Sequence, residues 1–175
     1  ESHQKGDYII ICEQEENGTT VRRPAAHWRF FLTALHFFVT SKEIYTKLKD
    51  KFGDSILSFE DVVTDSYILI APEAISDVAR YLAEDEALAF DSLMCLSGVD
   101  LGVKESDFEV VYHLFSMTHR HNIVLKVVLP KESPHLPTVE NVWKTANWHE
   151  REAYDMMGIK FKDNTDLKSI LLSDE

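Results

Sequence analysis

Cysteine and glycine are scarce in this sequence, which has 2 cysteines and 6 glycines among 175 residues. Cys12 and Cys95 lie far apart and match neither an iron–sulfur nor a zinc spacing. No glycine-rich phosphate loop is present, so the sequence offers no nucleotide or flavin site. His119 and His121 form a His-x-His pair, but no carboxylate or thiolate at strand spacing completes a metal site. Because a nucleophile elbow is also missing, the sequence argues against a self-contained enzyme.

Basic residues are outnumbered, with 18 lysines and arginines against 30 acidic residues and a formal net charge of −12. A nucleic-acid-binding protein needs a basic footprint, and this sequence has none. An anionic lipid surface would repel the same chain. No apolar run reaches the length that crosses a bilayer. The sequence therefore predicts no nucleic-acid partner and no direct membrane span, so another subunit must hold the chain at any membrane where it works.

A boundary near residue 40 divides the sequence. Residues 1–40 contain a strand-like stretch, a polar loop and an apolar run at 30–39, without usable periodicity, so we interpret them as an appended segment. Arg22 and Arg23 before that run resemble a secretion signal, but the missing cleavage pattern favours a buried or partner-facing helix. Residues 41–172 have the periodicity of a folded domain, and residues 173–175 form a tail.

Helix and strand patterns alternate along residues 41–172 and predict an α+β fold. Thr40 and Glu43 have capping-box spacing, Gly53 supplies a helix stop, and a second amphipathic helix follows Pro72. Alternating or β-branched runs predict strands, the last two forming a hairpin, at 56–59, 66–70, 91–101, 108–115 and 123–129. We expect a mixed β-sheet with helices packed on one face and a charged helix at the C-terminal end.

The charged helix is predicted between residues 148 and 157. Asn147 and Glu150 have the spacing of a helix N-cap and its third residue, and Gly158 suits the left-handed position after the helix end. Arg151 and Asp155 lie four residues apart and can form an ion pair.

Two interpretations of this helix follow from its residues. It can be an acidic surface helix packed by Trp148, Ala153 and Met156, or its charges can contact a partner subunit. Surface ion pairs are common and individually weak, so the residues alone favour the first interpretation.

The same stretch resembles the signature of the C-subunit family of NADH:quinone oxidoreductase, respiratory complex I. The resemblance runs from about residue 41 to 172 and is most specific in its last third. Its seven fixed positions are Glu150, Arg151, Glu152, Asp155, Gly158, Ile159 and Phe161. The family's His-Pro step after Phe161 is replaced by Asn164 and Thr165, and its second basic residue by Ser169.

The resemblance implies a non-catalytic, cofactor-free subunit in the hydrophilic arm of a proton-translocating NADH:quinone oxidoreductase. It would dock beside the subunit that shapes the quinone site, while partner subunits hold FMN, iron–sulfur clusters and quinone. The chain would then be peripheral, on the cytoplasmic face of the bacterial plasma membrane. No catalytic, cofactor-binding or metal-binding residue is expected. The expected interface residues are Glu150, Arg151, Glu152, Asp155, Gly158 and Phe161.

Two alternatives remain open at this point. One is a homologous subunit of a membrane-bound hydrogenase or of a ferredoxin- or F420-fed quinone reductase, because the electron-input module is encoded elsewhere. The other is a stand-alone protein-binding module that kept the fold and lost the complex.

Overall fold

The structure is a computed structural model that describes residues 11–16, 19–24, 39–61, 66–102 and 107–172. The chain divides into two compact units, Glu1–Phe37 and Phe38–Glu175. The described part of the first unit is an antiparallel hairpin of β1 (Ile11–Glu16) and β2 (Thr19–Pro24). The helix predicted in the apolar run and the predicted tail at 173–175 lie outside the described residues.

Helices and strands alternate in the described part of the second unit, as the sequence predicts. The elements, in chain order, are α1 (Ser41–Phe52), β3 (Ile56–Glu60), β4 (Tyr67–Ile70), α2 (Ile75–Glu84), β5 (Ser92–Asp100), β6 (Asp107–Phe115), β7 (Asn122–Pro130), β8 (His135–Pro137), α3 (Ala146–Met157) and β9 (Lys160–Lys162).

Five of these strands form one mixed sheet in the order β3-β4-β7-β6-β5. Neighbouring strands are antiparallel except β4 and β7, which pair in parallel from Tyr67–Val124 to Leu69–Lys126. The β6–β7 hairpin was predicted, and the sheet confirms the α+β class. The parallel pair β8–β9 was missed, because three-residue strands are too short to show a periodicity.

Local signals in the sequence account for the first two helices. The side chain of Thr40 accepts a hydrogen bond from the Glu43 N–H at 3.3 Å, and the Glu43 carboxylate accepts one from the Thr40 N–H at 2.8 Å. This confirms the capping box. Gly53 follows the last residue of α1 with a φ of 54°, which a glycine adopts at little cost. A 3₁₀ turn at Pro72–Ala74 leads into α2.

The core lies on one face of the sheet. Alternate residues of β7 and the inward stripe of α2 are fully or almost fully buried, and they are Ile123, Leu125, Val127, Leu129, Ile75, Val78, Ala79 and Leu82. Burial of one such large side chain contributes about 1.5–3 kcal/mol. The opposite face carries the ion pair between Lys126 and Glu109, 2.9 Å apart, with the Tyr67 ring beside the ammonium group. The helices therefore lie on the apolar face of the sheet. Helix α3 packs against β5, which is the last strand at one edge.

Candidate functional site

Gly98 allows α3 to approach strand β5 closely. A Cβ atom at this position would lie 2.5 Å from the Met157 sulfur and 3.2 Å from Ile159 Cδ1. Both neighbours would have to move to admit any side chain. The end of α3 therefore packs against the sheet where β5 has a glycine.

The N-terminus of α3 differs from the prediction. The helix begins at Ala146, and the Asn147 side chain does not cap it but donates a hydrogen bond to the Glu140 carboxylate at 2.7 Å. The preceding turns already supply the acceptors that a cap would provide, because the Ala146 N–H bonds to the Trp143 carbonyl and the Trp148 N–H to the Thr145 carbonyl. The other end is as predicted, since Gly158 is left-handed with a φ of 72°.

Glu150 is fully buried within the chain. Its carboxylate accepts hydrogen bonds from the Thr138 hydroxyl at 2.6 Å, the Val139 N–H at 2.8 Å and the Asn164 amide at 2.8 Å. Burial raises the pKa of Glu150, although these hydrogen bonds act in the opposite direction. The residue joins three segments of the chain, which are the loop before α3, α3 itself and the stretch after β9.

Glu140 is a second buried carboxylate, which was not among the residues predicted from the sequence. Besides the bond from Asn147, it accepts a hydrogen bond from the Thr165 N–H at 2.9 Å. Burial acts to raise the pKa of Glu140, but the hydrogen bonds outweigh it and the pKa lies below its usual value. Glu140 lies outside any periodic stretch, so the sequence carried no signal for its burial.

Arg151 is almost completely buried and binds the segment that ends the described chain. We call residues 163–172 the C-terminal strap. The guanidinium donates to the carbonyl oxygens of Lys168 at 3.2 Å and Ser169 at 3.3 Å, and it lies 3.7 Å from the Asp166 carboxylate. The predicted ion pair with Asp155 is wrong, because the planar donors of the arginine point to the strap instead.

The carboxylate of Asp155 binds backbone N–H groups of the same strap. One carboxylate oxygen accepts three hydrogen bonds, from Ile170 at 3.0 Å, Leu171 at 2.7 Å and Leu172 at 2.9 Å. The bond from Leu172 leads the three backbone hydrogen bonds that lower the pKa of Asp155 to about 2. Arg151 and Asp155 thus hold the carbonyl groups and the N–H groups of one strap.

The other three predicted interface residues lie elsewhere. Glu152 is exposed on α3, Gly158 is in the turn after the helix, and Phe161 is buried in β9, where it pairs with Leu136 of β8. The partner-contact role of the six residues stays a prediction. The structure brings Glu150, Arg151 and Asp155 together at the strap, whereas Phe161 belongs to the buried hydrophobic core.

The packing residues predicted for α3 are wrong except for Ala153. Trp148 and Met156 are 61% and 57% exposed, whereas Glu150 and Arg151 are buried because partners inside the chain satisfy them. A signal was available, since Ala146, Glu150 and Ala153 share one helical stripe that places the carboxylate toward the core.

The His-x-His pair binds the loop after α2. The Nε2 atoms of His119 and His121 lie 2.9 Å from the Glu86 carbonyl oxygen and 2.8 Å from that of Leu88. Burial lowers the pKa of His121. Across the described residues, no group of three or more His, Cys, Asp or Glu side chains is placed to hold a metal ion. No helix in the described ranges is long and apolar enough to cross a membrane.

Comparisons with known proteins agree on one family. The family model described as "Respiratory-chain NADH dehydrogenase, 30 Kd subunit" matches residues 68–175. The C subunit of NADH-quinone oxidoreductase from Chloroherpeton thalassium is 40% identical over 133 residues, covering 75% of this chain and 55% of that protein. The chain therefore spans about half the length of that relative. The C subunit from Roseiflexus sp. (strain RS-1) is also 40% identical, covering 75% of this chain and 76% of that protein.

Two solved structures are similar in fold. One is described as Nqo5 of a trypsin-resistant fragment, with a TM-score of 0.57 and 28% identity over 70% of this chain and 97% of that chain. The other is a chain of a membrane-bound sulfane sulfur reductase, an archaeal respiratory membrane complex, with a TM-score of 0.63 and 22% identity over 77% of each chain.

Proposed function

This chain belongs to the 30 kDa subunit family of respiratory-chain NADH dehydrogenase, and on that premise we propose that it is a docking subunit of an NADH:quinone oxidoreductase. In this role it binds other subunits of the hydrophilic arm, chiefly the one that shapes the quinone site. It carries no redox cofactor and supports electron transfer from NADH to quinone by holding its neighbours in place. Its position is peripheral, on the cytoplasmic face of the membrane, through the complex.

The use of the signature charges inside the chain is the observation that carries this proposal. Glu150, Arg151 and Asp155 all bind segments of the chain itself, so none of the three is free to act on a substrate. Their combined effect is to fix α3 and the strap as one rigid unit. A rigid scaffold of this kind suits a subunit whose task is to present a surface.

The surface that this unit presents supports a protein partner. Trp148, Glu152 and Met156 lie four residues apart and are all exposed, so they form one stripe along α3. Exposed tryptophan and methionine side chains are typical of protein interfaces.

Co-purification tests the proposal. An affinity tag on the full chain, expressed in its own host, is expected to recover the subunits that hold flavin and iron–sulfur clusters. The chain purified alone is expected to have no flavin or iron–sulfur absorbance. Recovery of a free monomer from native extract, or stoichiometric flavin or iron in the isolated chain, would contradict the proposal.

The electron donor is tested on the recovered complex. NADH oxidation coupled to quinone reduction is the expected activity. Oxidation of hydrogen, reduced ferredoxin or reduced F420 in place of NADH would assign the chain to one of the alternative complexes.

A further inference from the structure

We propose that the stripe of α3, the end of the strap and the groove beside them form a docking surface for one segment of a neighbouring subunit, a segment with a basic side chain between apolar ones. This inference rests on the proposed function and names the chemistry of the partner. It is carried by the distribution of exposed apolar side chains, the shape of the groove and the sign of its charges.

Exposed large hydrophobic side chains concentrate at this surface. Of eight such side chains in the described residues, four lie on α3 or on the strap, and they are Trp148, Met156, Leu171 and Leu172. Single exposed hydrophobic residues are ordinary, but a cluster of large ones marks an interaction site. The cluster lies where the strap is held, because Asp155, next to Met156 in the chain, binds the N–H groups of both leucines.

A groove of about 630 Å³ lies between α3 and β5. Its lining includes Gly98, Asp100, Phe108, Glu152, Met156 and Met157. The phenyl ring and two thioethers form the apolar part, and methionine adapts its shape to an incoming side chain. The stripe of α3 is continuous with this groove, because Glu152 and Met156 belong to both.

The charge of the groove identifies the complementary group. Asp100 and Glu152 are the charged side chains among its lining residues, and both are acidic. Asp100 is already paired with Lys131, whereas no described residue forms an ion pair with the exposed carboxylate of Glu152. A lysine or arginine side chain from a partner would pair with Glu152 while its neighbours cover the apolar part.

Other occupants are disfavoured by charge. A second copy of this chain would bring another formal charge of −12 toward an acidic groove. Nucleic acid and anionic lipid would be repelled in the same way. The occupant that fits is therefore a protein segment, and within the proposed function it belongs to a neighbouring subunit of the complex.

Charge reversal of Glu152 in the intact complex tests this inference. Tagged full-length chain carrying Glu152→Arg is expected to recover the contacting subunit on the order of tenfold less than wild type, as measured by quantitative mass spectrometry. Trp148→Ala is expected to lower recovery in the same direction. Glu84→Arg is the matched control, since Glu84 is an exposed helical glutamate on α2, and it is expected to leave recovery unchanged.

A carbodiimide cross-link identifies the partner residue. This reagent joins a carboxylate to a lysine amine in direct contact, so Glu152 is expected to link to a lysine of the neighbouring subunit. If no link forms, an arginine is expected there, found as the basic residue whose change to glutamate restores recovery with Glu152→Arg. Thermal unfolding midpoints of purified Glu152→Arg and Glu84→Arg, expected to equal wild type, exclude misfolding. Trp148→Ala is expected to unfold at a slightly lower temperature, because the Trp148 ring lies 5.0 Å from the Arg151 guanidinium.

The outcomes separate the two proposals. If wild type recovers the complex and both Glu152→Arg and Trp148→Ala recover it equally well, the docking surface is wrong and the proposed function stands. If Glu152 links only to a second copy of this chain, the surface is a homodimer contact and the inference is overturned. If wild type recovers no subunits of the complex, the proposed function itself is wrong.

Discussion

At the scale of single residues, Glu150 and Asp155 have opposite electrostatic environments although both are carboxylates of one helix. Burial raises the pKa of Glu150, and three backbone N–H groups lower that of Asp155 to about 2. Burial thus favours the neutral form of Glu150 against the pull of its hydrogen bonds, whereas Asp155 stays charged through almost the whole accessible pH range.

Asp155 should stabilise the fold in a pH-dependent way. Its folded pKa of about 2 lies below the ordinary value of 3.8, so its contribution is fully present above about pH 4 and is lost as the pH falls toward 2. Urea unfolding of wild type and Asp155→Asn at several pH values measures this. The difference in the free energy of unfolding between wild type and Asp155→Asn is expected to become smaller as the pH falls. A difference that stays constant from pH 6 to pH 2 would contradict the assignment.

Hydrogen exchange gives a second readout of the same residue. In Asp155→Asn the amides of Ile170, Leu171 and Leu172 are expected to exchange faster than in wild type, because an amide oxygen is a weaker acceptor than a carboxylate. Amides of β7 are the internal control and should keep their protection.

Removal of the Glu150 side chain should be costly. Glu150→Ala leaves the Thr138 hydroxyl, the Val139 N–H and the Asn164 amide without their shared acceptor, so we expect a loss of about 2–4 kcal/mol in the free energy of unfolding. Glu152→Ala on the same helix is the matched control and is expected to change it by less than about 0.5 kcal/mol. Equal effects of the two substitutions in urea unfolding would show that Glu150 does not join these segments.

At the scale of elements, the packing of α3 on β5 depends on the absence of a side chain at Gly98. Gly98→Ala is expected to destabilise the fold by about 1–3 kcal/mol, because the added methyl group forces Met157 and Ile159 to move. The double variant with Met157→Ala removes the nearest obstructing atom and is expected to recover part of that loss. Thermal unfolding measures both, and a double variant less stable than the sum of its two single changes would refute the steric explanation.

The elements that the sequence predicted are those whose signals are local. The capping box of α1 and the alternating patterns of β6 and β7 depend on residues that are close in the chain, and they appear as expected. The strap could not be predicted in this way, because its order comes from hydrogen bonds to Glu140, Arg151 and Asp155 that connect distant residues. The start of α3 was misplaced for the same reason, since Asn147 bonds to Glu140 and not to its own helix.

The candidate site shows the same division. The signature residues were recognised as a group because their order in the sequence is distinctive, and their contact with a partner stays a prediction. The burial of Glu150 and Arg151 was not predicted, because a charged side chain was assumed to face solvent or a partner. Buried carboxylates and guanidinium groups are tolerated when their hydrogen-bonding groups are satisfied, and Glu150 and Arg151 meet that condition inside the chain.

At the scale of the whole molecule, the net charge of −12 bears on the rate of assembly. An acidic chain that docks a basic segment is steered by long-range attraction, which salt screens. The association rate of this chain with the remaining complex is expected to fall on the order of tenfold between about 0.05 M and 0.5 M salt. Stopped-flow fluorescence of a dye attached to the chain measures it. Glu152→Arg is expected to slow association more than Glu84→Arg, which changes the net charge equally. A rate that is insensitive to salt would argue against a basic partner.

The parallel pairing of β4 with β7 also bears on the order in which the strands pair during folding. The β6–β7 hairpin closes through a short turn, so it forms early in folding. Strand β4 reaches β7 only after the chain between them, which includes α2, β5 and β6, has closed a long loop. We therefore expect strands β3 and β4 to join the sheet after the β6–β7 hairpin has formed. In a nascent chain that emerges N-terminus first, β4 is synthesised before β7. Until β7 is made, the edge of β4 that will pair with it is exposed to other chains.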